Sequence, residues 1–222
     1  MPLKNVAILI SGRGSNMVAL LDAMDGGDFP ARCVLVVSNL AEARGLAVAA
    51  ARGIPTAVLS HKDYPSREEH DGAILMRLLE HQVDLVCLAG YMRVLSPVLI
   101  HAFRNRILNI HPALLPAFPG LHVQKAALDH GVRFSGCTVH LVDEKVDHGP
   151  ILLQAVVPIL PGDDEASLSN RILAYEHRLY PAALRLICED KCLVEGRTVR
   201  LLLAADEYRT LLRDLVDTGS GR

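Results

Sequence analysis

The chain has few of the features that would mark an exported, membrane-bound or nucleic-acid-binding protein. Its five cysteines, Cys33, Cys87, Cys137, Cys188 and Cys192, are odd in number, scattered, and form no Cys-x-x-Cys pair. That argues against a disulfide framework and fits reduced thiols that pack as small apolar side chains. No apolar run approaches the roughly 20 residues of a membrane span. The opening Met1-Pro2-Leu3-Lys4-Asn5 lacks the basic segment, apolar core and cleavage site of an export signal, so a soluble, cytoplasmic protein is expected. Charge of neither sign dominates: 23 Lys and Arg stand against 25 Asp and Glu, a net charge of −2. Such a balance gives no strong global field for nucleic acid or an anionic membrane. Tryptophan is missing, and the 50% of hydrophobic residues are mostly Leu, Val, Ile and Ala, as expected where helices cover both faces of a parallel sheet. With 222 residues the chain can bury a core without staples, and one large α/β domain is the expectation.

Several catalytic signatures are also missing. There is no Gly-x-Ser-x-Gly elbow and no thiol placed beside a histidine, which removes the usual settings of an activated nucleophile. The ten histidines contain no His-Glu-x-x-His or comparable ligand set, so no metal is expected. The glycine loop Ser11-Gly12-Arg13-Gly14-Ser15-Asn16 follows the apolar run Asn5 to Ile10, which reads as a central parallel strand, and precedes a helix from about Met17 to Met24. Exposed N–H groups at such a helix start favour an anion. A dinucleotide site would want a third glycine where Met17 stands and an acidic residue near Val37-Ser38-Asn39. A Walker loop would want Gly-Lys-Ser/Thr. The loop therefore suits a simple phosphate monoester better than NAD or ATP, with a plain strand-to-helix turn as the alternative.

The remaining chain continues a βαβ rhythm. Strands are expected at Arg32 to Ser38, Thr56 to Ser60 and Val83 to Gly90, with helices from Glu42 to Arg52 and, after a Ser66/Glu69 capping box, to about His81. Tyr91 to Leu95 is an unusually apolar loop at a strand's C-terminal end. There it could seat a flat hydrophobic group or simply pack under the helix that begins at Ser96-Pro97. Ile107 to His111 is a short strand running into the proline-punctuated crossing 112–122, and a helix from about Val123 to His130 follows. From Gly136 to Val142 and from Ile151 to Ile159 two strands are joined so closely that they must be antiparallel. A helix from about Asp164 to Asp190 carries Leu168, Ile172, Tyr175 and Leu179 on one stripe, and Pro181 predicts a kink. Cys192 to Leu203 reads as a hairpin, and Asp217 to Arg222 should fray.

Side chains alternate along a strand, so Leu108 and Ile110 point one way while Asn109 and His111 point the other. The two polar groups either reach a common cavity or hydrogen-bond loop backbone, as most buried polar side chains do. Asp147, in the short loop Asp147-His148-Gly149-Pro150, either folds over that cavity or bonds its own turn. Taken as a set, Asn109 and a protonated His111 could stabilise an oxyanion. Asp147 could hold the imidazolium and help move a proton from an attacking amine.

The motifs Ser11 to Asn16, Ala89-Gly90-Tyr91-Met92-Arg93-Val94-Leu95-Ser96, Asn109-Ile110-His111-Pro112-Ala113-Leu114-Leu115-Pro116, Pro119-Gly120-Leu121-His122 and Asp147 to Ile151 together resemble those of the phosphoribosylglycinamide formyltransferases, folate-dependent enzymes of purine biosynthesis. The likeness covers nearly the whole chain in order. It implies a Rossmann-like α/β fold, a mostly parallel sheet flanked by helices with an antiparallel C-terminal extension. It further implies a single formyltransferase domain over 1–203, with a phosphate-binding half (1–107), a catalytic and folate-binding half (108–203) and a tail (204–222). The activity implied is formyl transfer from 10-formyltetrahydrofolate to the amine of glycinamide ribonucleotide, with no metal and with a homodimer as a compatible assembly. Asn109, His111 and Asp147 match the catalytic trio. Gly14, Ser15 and Asn16, with Leu173, Ala174, Tyr175 and Glu176, match the ribonucleotide site. Arg67, Met92, Arg93, Val94, Leu95, Asn109, Asp143, Glu144, Lys145, Val146 and Asp147 match folate contacts. Ala113 departs from the serine often found there, at a position with no catalytic role.

Two relatives, methionyl-tRNA formyltransferase and formyltetrahydrofolate hydrolase, share the Asn-x-His and Leu-Leu-Pro features. The first usually adds a nucleic-acid-binding domain and the second a regulatory one, and 222 residues leave room for neither. A non-catalytic nucleotide-binding module on the same scaffold is the reading of a different class. The three polar groups together argue against it.

Overall fold

A computed structural model describes residues 3–216 of the chain. Five strands run parallel in the spatial order β3-β2-β1-β4-β5: β1 (Lys4–Ile10), β2 (Ala31–Ser38), β3 (Thr56–Val58), β4 (Leu85–Leu88) and β5 (Ile107–His111). β6 (Phe134–Leu141) and β7 (Ile151–Pro158) extend the same sheet to seven strands, β6 antiparallel to β5 and β7 antiparallel to β6. The expected mostly parallel α/β sheet is thus what forms. Strand order reverses at β1, with β2 and β3 on one side and β4 and β5 on the other. Open α/β sheets have their ligand crevice at such a reversal, outside the C-terminal ends of the strands.

Helices α1 (Ser15–Met24), α2 (Arg44–Ala51), α3 (Arg67–Glu80), α4 (Pro97–Ala102), α5 (Val123–Asp129) and α6 (Glu165–Cys188) flank the sheet. Alternation along the strands feeds two cores. Val6, Ile8 and Ile10 pack with Met17 and Leu20 of α1 and with Leu168, Ile172 and Leu179 of α6. Ala7 and Leu9 instead pack with Ile74 and Leu78 of α3 and Leu99 of α4. Leu108 and Ile110 belong to the first core, so Asn109 and His111 face the α3/α4 side. The Tyr91–Leu95 loop also lies there, with Tyr91 and Leu95 buried in that second core.

α6 is fixed at its start by a capping box in which Asp164 Oδ1 accepts from Ser167 N at 2.7 Å and Ser167 Oγ accepts from Asp164 N at 2.9 Å. Although Pro181 deprives the His177 carbonyl of its donor, the helix runs on to Cys188. Directly before the proline, the Tyr180 hydroxyl reaches into the sheet, 3.1 Å from the Leu88 carbonyl oxygen and 3.0 Å from that of Leu108. At α3 only half of the expected capping box is present: Ser66 Oγ accepts from Glu69 N, while the Glu69 carboxylate accepts from the Ser66 hydroxyl instead of its backbone N–H.

The expected hairpin is a separate two-stranded sheet, β8 (Cys192–Glu195) with β9 (Thr198–Leu201), turning at Gly196 with φ 63°. The segment expected as a tail begins with a helix, α7 (Ala205–Val216), whose Leu215 is buried against the first core. The fraying expected of Asp217 to Arg222 lies outside the described residues. No helix among the described residues is long and apolar enough to cross a membrane.

Candidate active site

β5 delivers His111 to the rim of the crevice with 4% of its surface exposed. Its Nε2 lies 2.8 Å from the Phe118 carbonyl oxygen. A carbonyl can only accept, so Nε2 carries a proton and the neutral ring would present a bare lone pair at Nδ1. That Nδ1 stands 3.3 Å from Asp147 Oδ2. Two acceptors facing each other repel, so the pair becomes attractive when the imidazole takes up a second proton. Burial pushes the His111 pKa below its usual value, against the Phe118 carbonyl and Asp147, which favour the charged ring.

Asp147 holds left-handed backbone at φ 49°, a conformation that aspartate tolerates better than most side chains. Its Oδ2 also accepts from Gly120 N at 2.8 Å, and its Oδ1 lies 3.7 Å from His140 Nε2. Burial alone would raise this carboxyl's pKa, but the charged forms of the His140 and His111 rings and the Gly120 N–H together outweigh it, and Asp147 is held below the ordinary carboxylate range. The site thus keeps a firm anion beside an imidazole that is reluctant, but able, to charge.

Asn109 is tied in through His140. The β5/β6 register places these residues directly opposite each other, and Asn109 Nδ2 lies 3.1 Å from His140 Nε2. His140 Nδ1 is committed to the Leu141 carbonyl at 2.9 Å, so Nε2 is the acceptor and the Asn109 amide is oriented by donating to it. The second amide hydrogen remains available to a ligand. Thr138, opposite His111 in the same register, holds the proline-rich crossing: its Oγ1 donates to the Ala113 carbonyl and accepts from Leu115 N and Gln154 Nε2.

These groups open into a cavity of about 380 Å³. One wall is the Tyr91–Leu95 loop and another the 143–147 loop, with His111, Asn109 and His140 between them and Leu121 and His122 from the crossing. Met92, Val94, Leu121 and Val146 are all largely exposed, an apolar mouth suited to a flat hydrophobic group. The 143–147 loop is held near its start by His101 Nε2 to Glu144 Oε1 at 2.7 Å and closed on itself by His148 Nδ1 to Asp143 Oδ2 at 2.7 Å.

The glycine loop stands on the other side of the strand-order reversal. Gly14 has φ 77° and precedes α1 with no side-chain cap, so the first N–H groups of α1 are left for a ligand. A Cβ at Gly14 would come 3.1 Å from Gly45 Cα of α2, so a larger residue would meet both strain and crowding. Asn16 Nδ2 donates to Glu176 Oε2 at 2.7 Å, which brings the two stretches expected to hold the ribonucleotide into contact. Glu176 is 6% exposed. Burial raises its pKa, and the Asn16 N–H opposes the rise only in part. Leu173 is half-buried, Ala174 exposed and Tyr175 buried beside it.

The structure therefore brings Met92 to Leu95, Asn109, Asp143 to Asp147 and His111 to one cavity, and the Asn16–Glu176 hydrogen bond joins the glycine loop to α6. Arg67 is the exception. It begins α3 with an exposed side chain 3.6 Å from Glu68 and does not line the cavity. Sequence reasoning missed His140, the Phe118 carbonyl and the Gly120 N–H, since a strand histidine and two loop backbone groups carry no signal until register and loop path are known. No thiol competes for a nucleophilic role: burial pushes Cys33 and Cys188 up to about 12 and Cys192 up to about 11.

The sequence model of the formyl transferase family matches residues 4–184. A trifunctional purine biosynthetic protein adenosine-3 of Drosophila pseudoobscura pseudoobscura is 54% identical over 188 residues, which cover 84% of this chain and 14% of that one. The chain thus spans only about one-seventh of the length of that relative. A phosphoribosylglycinamide formyltransferase of Mycobacterium tuberculosis is 45% identical over 196 residues, covering 88% of this chain and 90% of its own. Among solved structures, glycinamide ribonucleotide transformylase 1 from Symbiobacterium toebii superposes with a TM-score of 0.89 at 51% identity, covering 90% of this chain and 95% of that one.

Proposed function

Because the chain belongs to the formyl transferase family, we propose that it transfers the formyl group of 10-formyltetrahydrofolate to the amine of glycinamide ribonucleotide, giving formylglycinamide ribonucleotide and tetrahydrofolate. The observation that carries this reading is the His111–Asp147 pair at 3.3 Å, with His111 Nε2–H committed to the Phe118 carbonyl, at the edge of an apolar cavity. The 91–95 and 143–147 loops would seat the folate and the Gly14–Asn16 loop the ribonucleotide phosphate, with Glu176 beside the rest of that substrate.

In this reading the ribonucleotide amine attacks the formyl carbon, and the carbonyl electrons move onto oxygen. The free amide hydrogen of Asn109 donates to that oxyanion. His111 can offer only the proton on Nδ1, shared between the oxyanion and Asp147 Oδ2, because its Nε2–H is already committed. Negative charge developing beside the ring favours the imidazolium, so a group whose resting pKa is lowered by burial gains its charge where the transition state needs it. Asp147, ionised throughout, stabilises that imidazolium. Through a water, it also helps the proton lost by the amine reach the departing folate nitrogen, whose bond to the formyl carbon then breaks.

The test follows folate absorbance with 10-formyltetrahydrofolate in the presence and absence of glycinamide ribonucleotide. Acceptor-dependent loss of the formyl group supports the transferase; acceptor-independent loss would identify a hydrolase, and no loss a binding module. His111→Ala and Asp147→Asn should each lower kcat by roughly 10²- to 10⁴-fold with the fold intact. Near-normal turnover in either purified variant would sink the assignment.

A further inference from the structure

The Tyr91–Leu95 loop has neither helix nor strand of its own, yet its backbone forms one wall of the cavity. Two side chains from elements outside it hold its ends. Met92 N–H donates to Ser11 Oγ at 2.8 Å, at the end of β1. Ser11 spends its own proton on Asn39 Oδ1 at 2.6 Å, which fixes a lone pair toward Met92. At the other end Ser96 N–H donates to Asp71 Oδ2 at 2.5 Å. Asp71 belongs to the second turn of α3, and its side chain is only 2% exposed.

A carboxylate buried this deeply is costly unless it is well satisfied. Its other oxygen has His70 Nδ1 at 3.6 Å, while His70 Nε2 is committed to the Leu59 carbonyl at 2.9 Å. That leaves the short hydrogen bond from Ser96 N–H, a charge-assisted bond to a residue that is itself fully buried. Bonds of that kind are the strong ones and fix geometry. Neither Asp71 nor Ser11 lines the cavity. We propose that Asp71 is a positioning residue for the formyl-donor site, clamping the Tyr91–Ser96 segment from α3 as Ser11 clamps it from β1. The proposal rests on the reading of this loop as the folate seat. The chemistry lies elsewhere, on β5 and the 143–147 loop, so loss of the clamp should weaken donor binding and leave the reacting groups in place.

Steady-state kinetics of Asp71→Ala and Asp71→Asn for both substrates, with amide hydrogen exchange on the free full-length protein, test this. Asp71→Ala should raise the KM for 10-formyltetrahydrofolate roughly tenfold to a hundredfold, the worth of a charge-assisted bond to a buried N–H. Its kcat and ribonucleotide KM should stay within about twofold of the parent. Asp71→Asn keeps an oxygen for Ser96 N–H and should recover most of the donor affinity. Exchange should quicken over residues 92–96 and not over 109–111. Unchanged exchange there together with an unchanged donor KM would overturn the proposal, as would parallel losses in kcat and both KM values, which mean general destabilisation. If Asp71→Ala fails to fold, Ser11→Ala must show the same donor KM rise and the same exchange pattern, and its absence would equally overturn the clamp. A parent protein that binds no folate would overturn the functional reading alone, because the exchange data still judge the clamp.

Discussion

Glu176 shows what a buried carboxylate costs the fold. It is buried against Asn16, and the folded protein binds its proton more readily than the unfolded chain does, because burial penalises the carboxylate more than one N–H relieves it. A folded pKa above the unfolded value means that the contribution to stability is complete below the ordinary glutamate pKa. It is then lost as pH rises through the raised folded value. Glu176→Gln keeps an oxygen for Asn16 Nδ2 and removes the charge, so it should be more stable than the parent at neutral pH and converge with it in acid. Urea midpoints across that pH range check this, and a difference that does not vary with pH would sink it. The same variant should bind glycinamide ribonucleotide more weakly, the expected cost where a site holds a strained or desolvated group. His111 and Asp147 carry the complementary lesson: the imidazole is discouraged from charging while the carboxylate beside it is kept ionised, and a pair pushed apart in this way divides proton roles.

At the scale of elements, the loop between β6 and β7 matters most, because it returns the chain from Asp147 into the sheet within a few residues. A Cβ at Gly149 would collide with the Leu141 carbonyl oxygen, and that oxygen belongs to the strand carrying His140. Gly149→Ala must therefore move the loop or the strand. It should cost roughly 1–3 kcal/mol of stability, as overpacking does, and lower kcat by displacing Asp147. Thermal denaturation and turnover measured on the same preparation check both; full activity with parental stability would show that the turn can relax elsewhere. The strands themselves were legible from their apolar runs, and the two-sided core follows from alternation alone. Helix boundaries drifted by a few residues where caps decided them. α1 starts at Ser15 because Gly14 supplies the left-handed turn that ends the loop, a conformation that hydrophobic periodicity does not encode.

For the molecule as a whole, Tyr180 joins the longest helix to the two strands that flank the site. Its hydroxyl, fully buried, sits between the Leu88 and Leu108 carbonyls, the first three residues ahead of the Tyr91–Leu95 loop and the second one residue ahead of Asn109. Tyr180→Phe leaves those carbonyls without that donor and should lower stability by about 1–3 kcal/mol, the penalty for an unmade buried hydrogen bond. Denaturant midpoints check it, and a loss well below that range would mean that the strands satisfy the carbonyls without the hydroxyl. The segment expected as a tail instead begins with α7, where Leu215 reaches the core.

The sequence by itself determined the order and type of most elements, the common direction of Asn109 and His111, the glycine loop at the end of β1 and the family likeness. These are local properties, set by side-chain period and turn chemistry within a few residues. Tertiary structure alone decided that His140 stands opposite Asn109 and that the Phe118 carbonyl fixes the proton on His111 Nε2. It also decided that Gly120 N–H and, once charged, the two histidines favour the ionised Asp147, that Asp71 accepts from Ser96 N–H 25 residues away, and that Arg67 remains outside the cavity. Each of these depends on strand register or loop closure between segments distant in the chain. A single-residue slip in pairing would turn every side chain to the opposite face without altering one local signal.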